Sequence, residues 1–237
     1  MQVERWTHRV TAGPLEDVYV YEAPVRLWHW VTVACMFVLA VTGYLIGAPP
    51  PAIGGEATFS FMFGWIRTIH FVTAFIFIIA FVVRIYWAIV GNSFSRSIFL
   101  PPLWSLALWR GLIDDVMDYL FVSKKENRWV GHNPLALLAM TFMFVLGTLV
   151  LIVTGLGLYA QGYGWGSTWM NLFGWVTVLI GTPQAVRTVH HLAMWYVLLF
   201  AIVHMYMATR QDIVSRATIM STMVNGIRMW KGEPKKR

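Results

Sequence analysis

Chemistry in this chain rests on histidines. The stretch from Arg187 to His204 is apolar except at its ends, with His190 near one end and His204 at the other. On an α-helix their separation corresponds to about 21 Å of rise and falls only about 40° short of four full turns. Two imidazoles would project from one helical face at two depths. His29 and His70, on earlier apolar stretches, are candidates for the second ligand at each depth. Neutral imidazole is a common metal ligand. Sulfur offers no rival, because Cys35 is the single cysteine. One cysteine can hold neither an iron–sulfur cluster nor an internal disulfide, and the Cys-x-x-Cys-His attachment signature is absent. Cys35 reads as core packing.

The elements that must position these rings are membrane spans. The chain of 237 residues is 58% hydrophobic and only 12% charged, against about 25% charged residues in ordinary soluble domains. Four stretches reach the roughly 20 apolar residues that a span requires. They run from about Arg26 to Gly47, Thr68 to Val90, Pro134 to Tyr159 and Val186 to Thr209. The expected fold is an all-α membrane protein, a four-helix transmembrane bundle forming a single domain over residues 1–237. The polar first 25 residues carry no apolar run or small-residue cleavage site, so the first span is expected to direct insertion. Met170 to Ile180 is too short to cross and contains Gly174, which suits an interfacial or re-entrant piece. Leu103 to Phe121, where tryptophans and leucines stand beside Asp114, Asp115 and Asp118, suits a helix lying on the interface. A further exposed helix is expected over Asp212 to Trp230. The connection from Ala48 to Phe63 opens on three prolines and contains Gly54, Gly55 and Glu56.

Basic residues set the orientation. The N-terminal segment carries Arg5, Arg9 and Arg26. The second connection carries Arg84, Arg96, Arg110, Lys124, Lys125 and Arg128. The tail carries Arg210, Arg216, Arg228, Lys231, Lys235, Lys236 and Arg237. Arg67 and Arg187 stand alone on the other two connections, so four spans place 16 of 18 basic residues on one side. The positive-inside rule then puts both termini and the middle connection in the cytoplasm. This distribution, rather than nucleic-acid binding, accounts for the formal charge of +7. Trp28, Trp30, Trp65, Trp87, Trp165 and Trp175 fall near the expected interfaces, as an aromatic belt would.

Depth now pairs the histidines. His70 and His190 lie near the external face, His29 and His204 near the cytoplasmic face. Two histidines per level, without cysteine or carboxylate beside them, suit zinc poorly, since it takes three or four protein ligands. They suit the two axial positions of a haem iron, and filling both leaves no place for oxygen or substrate. Two non-covalent haem b groups are therefore expected. Arg26, Arg67 and Arg187 each precede a histidine by three residues, on the same helical face. A guanidinium there can pair with a haem propionate or simply snorkel at the boundary. His191 points about 100° away from His190 and reads as structural. His8 lies in the polar N-terminal segment. Gly43, Gly147 and Gly155 admit either a porphyrin or close helix packing, with packing favoured.

These residues resemble a known family. Arg26 to Gly43, with Arg-Leu-Trp-His-Trp and a closing Thr42-Gly43, is similar to the first helix of the b-type cytochrome subunit of membrane-bound nickel–iron uptake hydrogenases, a di-haem cytochrome b family. Arg187 to His204 resembles its second signature, histidine spacing included. The likeness extends to Gly55-Glu56-Ala57, Arg67 to Asn92, Gly131-His132-Asn133-Pro134 and Met223-Val224-Asn225-Gly226. It implies that the positions matching His29, His70, His190 and His204 are the haem ligands. It also implies an external hydrogenase, with small and large subunits, as partner.

The chain shows no nucleophile–base pair, phosphate loop or carboxylate cluster, so an electron-transfer subunit without hydrogen chemistry of its own is expected. Electrons would run from a periplasmic hydrogenase through two bis-histidine haems to menaquinone or ubiquinone, with the chain anchoring the hydrogenase in membrane lipid. His132 and Asn133, at the cytoplasmic start of the third span, are the leading quinone-binding candidates, ahead of Tyr206, Arg210 and Asp212. Asn133-Pro134 would equally serve as a helix start. A di-haem subunit of another respiratory enzyme, of the formate dehydrogenase type, is the near alternative. A haem-free anchor or transporter is the distant one.

Overall fold

A computed structural model describes residues 15–51, 61–122, 131–215 and 218–231. His8, Gly55-Glu56-Ala57, Lys124, Lys125, Arg128 and Arg216 lie outside these residues. The described order is strand β1 (Leu15–Tyr19), helices α1 (Ala23–Gly47), α2 (Met62–Val90), α3 (Ser93–Arg96), α4 (Leu106–Tyr119) and α5 (Pro134–Ala139), a π-helical segment (Met140–Val145), α6 (Leu146–Gln161), α7 (Thr168–Phe173), α8 (Trp175–Ile180), α9 (Pro183–Ser215), α10 (Ile219–Asn225) and strand β2 (Ile227–Lys231).

Four helical runs are long and apolar enough to cross a membrane: Ala23–Gly47, Met62–Val90, Pro134–Gln161 and Pro183–Ser215. They are the four expected spans, each extended by a few residues. Few of their side chains are fully buried by protein, and large apolar ones such as Phe37, Ile79 and Ile202 are exposed, which is tolerable only in lipid. Local signals set the ends. Proline follows α1 at Pro49, Pro50 and Pro51, and it cannot continue a helix. Asn133 caps α5, its Oδ1 accepting from the Ala136 N–H at 2.6 Å, with Pro134 in the first turn. Within the third span, the buried Thr141 hydroxyl lies 2.9 Å from Ile98 O and 3.0 Å from Leu137 O, inside the π-helical segment, and shares its one proton between them. Such segments loosen the regular ladder and are held by added contacts of this kind.

The chain forms two compact units, and each long run lends one end to each. The first unit takes residues 1–29, 83–145 and 200–237. Here β1 pairs antiparallel with β2, Leu15 opposite Lys231 and Tyr19 opposite Ile227. Paired strands lie on one side of the membrane, as an even number of spans requires. Val20, Tyr21 and Val25 form one core, with Trp87, Phe94 and Met223 packed on it, and Ile98, Leu108 and Leu137 form another. The Glu22 carboxylate ties the first together, accepting from Trp87 Nε1 at 2.8 Å, the Asn92 N–H at 3.1 Å and Ser95 Oγ at 3.4 Å. The α4 helix, Leu106–Tyr119, lies within the stretch Leu103 to Phe121 where a helix was expected.

The tail departs from expectation. Instead of one exposed helix from Asp212 to Trp230, α9 runs on to Ser215, α10 follows, and the chain turns into β2. Thr218, at φ 52°, and Gly226, at φ +84°, break the helix twice. The Gly226 carbonyl accepts from the N–H groups of Val20 and Tyr21, which delivers β2 to its partner strand. Arg84, counted above with the second connection, lies inside α2 and is only 2% exposed.

The second unit takes residues 30–82 and 146–199. Met170 to Ile180 forms two short helices, α7 and α8, meeting at Gly174, so this segment does not cross. Rings from α2, α6 and α7 pack edge to face: Phe71 and Phe75 on Tyr159, and Tyr159 on Trp169.

Candidate haem-binding sites

The second unit holds His70 on α2 and His190 on α9, and the two rings are near each other. Each is tied to a different neighbouring helix by the same device. Thr42 Oγ1 on α1 lies 2.9 Å from His70 Nδ1, and Thr154 Oγ1 on α6 lies 2.8 Å from His190 Nδ1. A glycine follows each threonine. A Cβ on Gly43 would stand 3.3 Å from His70 Cε1, and one on Gly155 would stand 3.1 Å from His190 Cε1. Both rings thus lie close to a neighbouring helix at a glycine, each with Nδ1 at a threonine hydroxyl. That leaves Nε2 of each ring, which could hold a haem iron.

Packing also separates the three glycines. Gly147 faces Val197, whose Cγ2 would be 2.7 Å from an added Cβ, so this one is a helix contact. Gly43 and Gly155 face the histidines. His191 sits against Gly47 and edge-on to Trp195, turned to different neighbours from His190. Arg67 and Arg187 are exposed, one turn before their histidines, and Arg67 lies 5.6 Å from the Phe71 ring centre.

The first unit holds His29 on α1 and His204 on α9, also near each other. The His204 ring stacks on Phe200, one turn earlier, with centroids 5.5 Å apart. Arg26 donates to the Val224 carbonyl. Its guanidinium is partly committed to α10, although its Nε is buried without a partner.

Near this pair His132, singled out in the sequence, stands in a polar cluster whose other members, Tyr21, Arg84 and Arg228, were not marked there as site residues. The Tyr21 hydroxyl meets His132 Nε2 at 3.2 Å, and Arg84 and Arg228 act on both side chains. Burial pushes the Tyr21 hydroxyl up to about 12. Burial first, then the neighbouring His204 ring and the positive Arg228 and Arg84, pushes His132 down to about 3, so its imidazole is neutral. Its Nδ1 is shut off from solvent without a partner. The Arg84 guanidinium lies 5.2 Å from the Trp28 and Phe99 ring centres and donates to Ser95 O at 2.7 Å. The only signal for this residue was a charge within an apolar span.

The other quinone candidates are less free. Asn133 is committed to its cap and donates to Tyr119 Oη at 3.2 Å. Arg210 lies between the Tyr119 and Phe121 rings and 3.6 Å from Asp118. Asp212 accepts from the Ile219 N–H. Tyr206 is 62% exposed.

A family model described as prokaryotic cytochrome b561 matches residues 20–226. The chain belongs to this family. Proteins called probable Ni/Fe-hydrogenase B-type cytochrome subunit are similar over nearly the whole chain. That of Azotobacter chroococcum is 50% identical, covering 91% of this chain and 90% of the relative. That of Cupriavidus necator is 48% identical, covering 92% and 89%. One in Escherichia coli K12, called a probable Ni/Fe-hydrogenase 1 B-type cytochrome subunit, is 44% identical, covering 90% and 91%. This member of the family is an integral membrane b-type cytochrome, an electron-transport protein that holds haem b.

Proposed function

We propose that this cytochrome joins a periplasmic nickel–iron hydrogenase to the quinone pool of the bacterial inner membrane, anchoring the enzyme and carrying its electrons across the bilayer. The observation that carries the reading is the sorting of four histidines into two pairs, one in each unit. The names of the relatives supply the hydrogenase.

His70 and His190 hold one haem b, and His29 and His204 hold a second. Bound haem supplies a one-electron iron couple. Two histidines at each haem would leave no iron position open to oxygen or substrate. Arg67 and Arg187 offer guanidinium groups to carboxylates at the external pair, and Arg26 offers its Nε at the other. Positive-inside bias puts both termini and the first unit's connections in the cytoplasm. His132, neutral and with Nδ1 shielded, is the leading group to meet a quinone carbonyl. Asn133, Tyr206 and Arg210 stand behind it.

A dithionite-reduced visible spectrum of the purified chain is expected to show a b-type α-band, with two haems per chain by pyridine haemochrome. His190→Ala and His204→Ala should each remove one haem. Retention of both haems in either variant would reject the ligand scheme. Purification from intact membranes should bring hydrogenase subunits with the chain.

A further inference from the structure

The threonine–histidine contacts allow one more step. A threonine hydroxyl has a single proton. Thr42 Oγ1 lies 2.7 Å from the Val38 carbonyl, and Thr154 Oγ1 lies 2.6 Å from the Val150 carbonyl. A carbonyl oxygen only accepts, so in each case the hydroxyl proton is spent on the helix backbone, the usual i−4 back-bond. What the hydroxyl offers His70 or His190 is a lone pair. The histidine must be the donor through Nδ1–H, and a neutral ring protonated there carries its free lone pair on Nε2.

We propose that Thr42 and Thr154 are positioning residues that fix the tautomer, orientation and donor strength of the second unit's two histidines. The inference rests on the reading of His70 and His190 as haem ligands. The two devices match part for part. Each histidine follows Arg-Thr-x on its own helix, and each is tethered to a Thr-Gly pair on another helix, Thr42-Gly43 on α1 and Thr154-Gly155 on α6. The threonine sets the ring's rotation, and the glycine lets it lie close. A hydrogen bond from Nδ1–H to an acceptor makes the imidazole more basic and a stronger donor through Nε2. Stronger donation favours the ferric state, so the tethers hold this haem's potential below what the same ligands would give untethered.

The test uses the purified full-length cytochrome, with Thr42→Val, Thr154→Val and the double variant, which keep shape and remove the hydroxyl. Thr42→Ser and Thr154→Ser restore it. Thr148→Val is the control, because Thr148 is fully buried and its hydroxyl has no partner. Haem content, redox titration of the α-band and low-spin electron paramagnetic resonance are read together. Each valine variant is expected to raise the midpoint of the same one of the two haems and to shift that haem's low-field resonance. The double variant should shift further, and serine should return both readouts toward wild type. If a valine variant loses that haem outright, serine should restore it. Unchanged midpoints and resonances in both single valine variants would overturn the proposal, as would an equal shift in Thr148→Val or failure of both serines to restore the readouts. The ligand reading fails separately, if His70→Ala keeps both haems with bis-histidine spectra, and the proposal then falls with it.

Discussion

A single atom separates the roles of three glycines. At Gly155 and Gly43 an added Cβ would press on a histidine ring, at 3.1 and 3.3 Å from Cε1, whereas at Gly147 it would meet the tip of Val197 at 2.7 Å. With His70 and His190 as the proposed haem ligands, Gly155→Ala and Gly43→Ala should disturb the haem they hold, seen as a shifted low-spin resonance or lowered haem content, with helix content by circular dichroism intact. Gly147→Ala should leave that resonance in place and cost about 1–3 kcal/mol of stability, the usual range for overpacking, read as a lower melting midpoint in detergent. If Gly155→Ala leaves both haem signals untouched, its closeness to His190 has no bearing on the site. The Thr-Gly pairs stood in the sequence, but their partners did not, because Thr42 and His70 meet only once α1 and α2 have packed. Arg84 was obscured for another reason. Near a span's end, a basic residue usually snorkels toward water, and nothing local announces that Trp28 and Phe99 will enclose it.

Elements were legible where one physical term dominates. The four spans follow from apolar length alone, because lipid requires helices that satisfy their own backbone, and the failure of Met170–Ile180 to cross follows from its shortness. The tail was not legible, because β2 exists only by pairing with β1 at the other end of the chain. Ile219–Asn225 does form a helix, and left-handed Thr218 and Gly226 limit it to that segment. At the start of the third span, two roles compete for Asn133. The cap is satisfied by its Oδ1, and losing it should cost about 1 kcal/mol. Asn133→Ala is thus expected to lower the melting midpoint. Asn133→Asp keeps the capping oxygen and should restore stability. Quinone reduction measured in both variants then separates the roles. Activity that follows stability assigns Asn133 to the helix, and activity lost in the stable Asn133→Asp assigns it to the quinone.

At the scale of the molecule, both ends of the described chain converge on the first unit, where Tyr21 from the first strand's exit and Arg228 from β2 enclose His132. Arg228 donates to the Gly131 carbonyl at 2.9 Å, so the closing strand and the start of the third span hold each other. This makes folding sensitive to acid through one residue. His132 titrates near 3 in the folded chain but near 6.5 when unfolded. Above pH 6.5 neither state holds the proton, and the group adds no pH slope. Between about 6.5 and 3 only the unfolded chain takes it up, so acidification favours unfolding. At pH 4.5, two units below the unfolded value, this amounts to about 2–3 kcal/mol as an upper figure, since His132 is only partly buried. A His132→Gln variant retains an amide to meet Tyr21 and has no proton to gain. Chemical or thermal unfolding of both proteins in the same detergent, from pH 7.5 down to 4.5, should show the wild type losing stability relative to the variant, with the loss beginning near pH 6.5. The groups common to both proteins cancel in that difference. A difference that stays flat across the range would mean that folded His132 accepts protons as readily as the unfolded chain, and that the convergence of Tyr21, Arg84 and Arg228 on this ring does not hold it neutral.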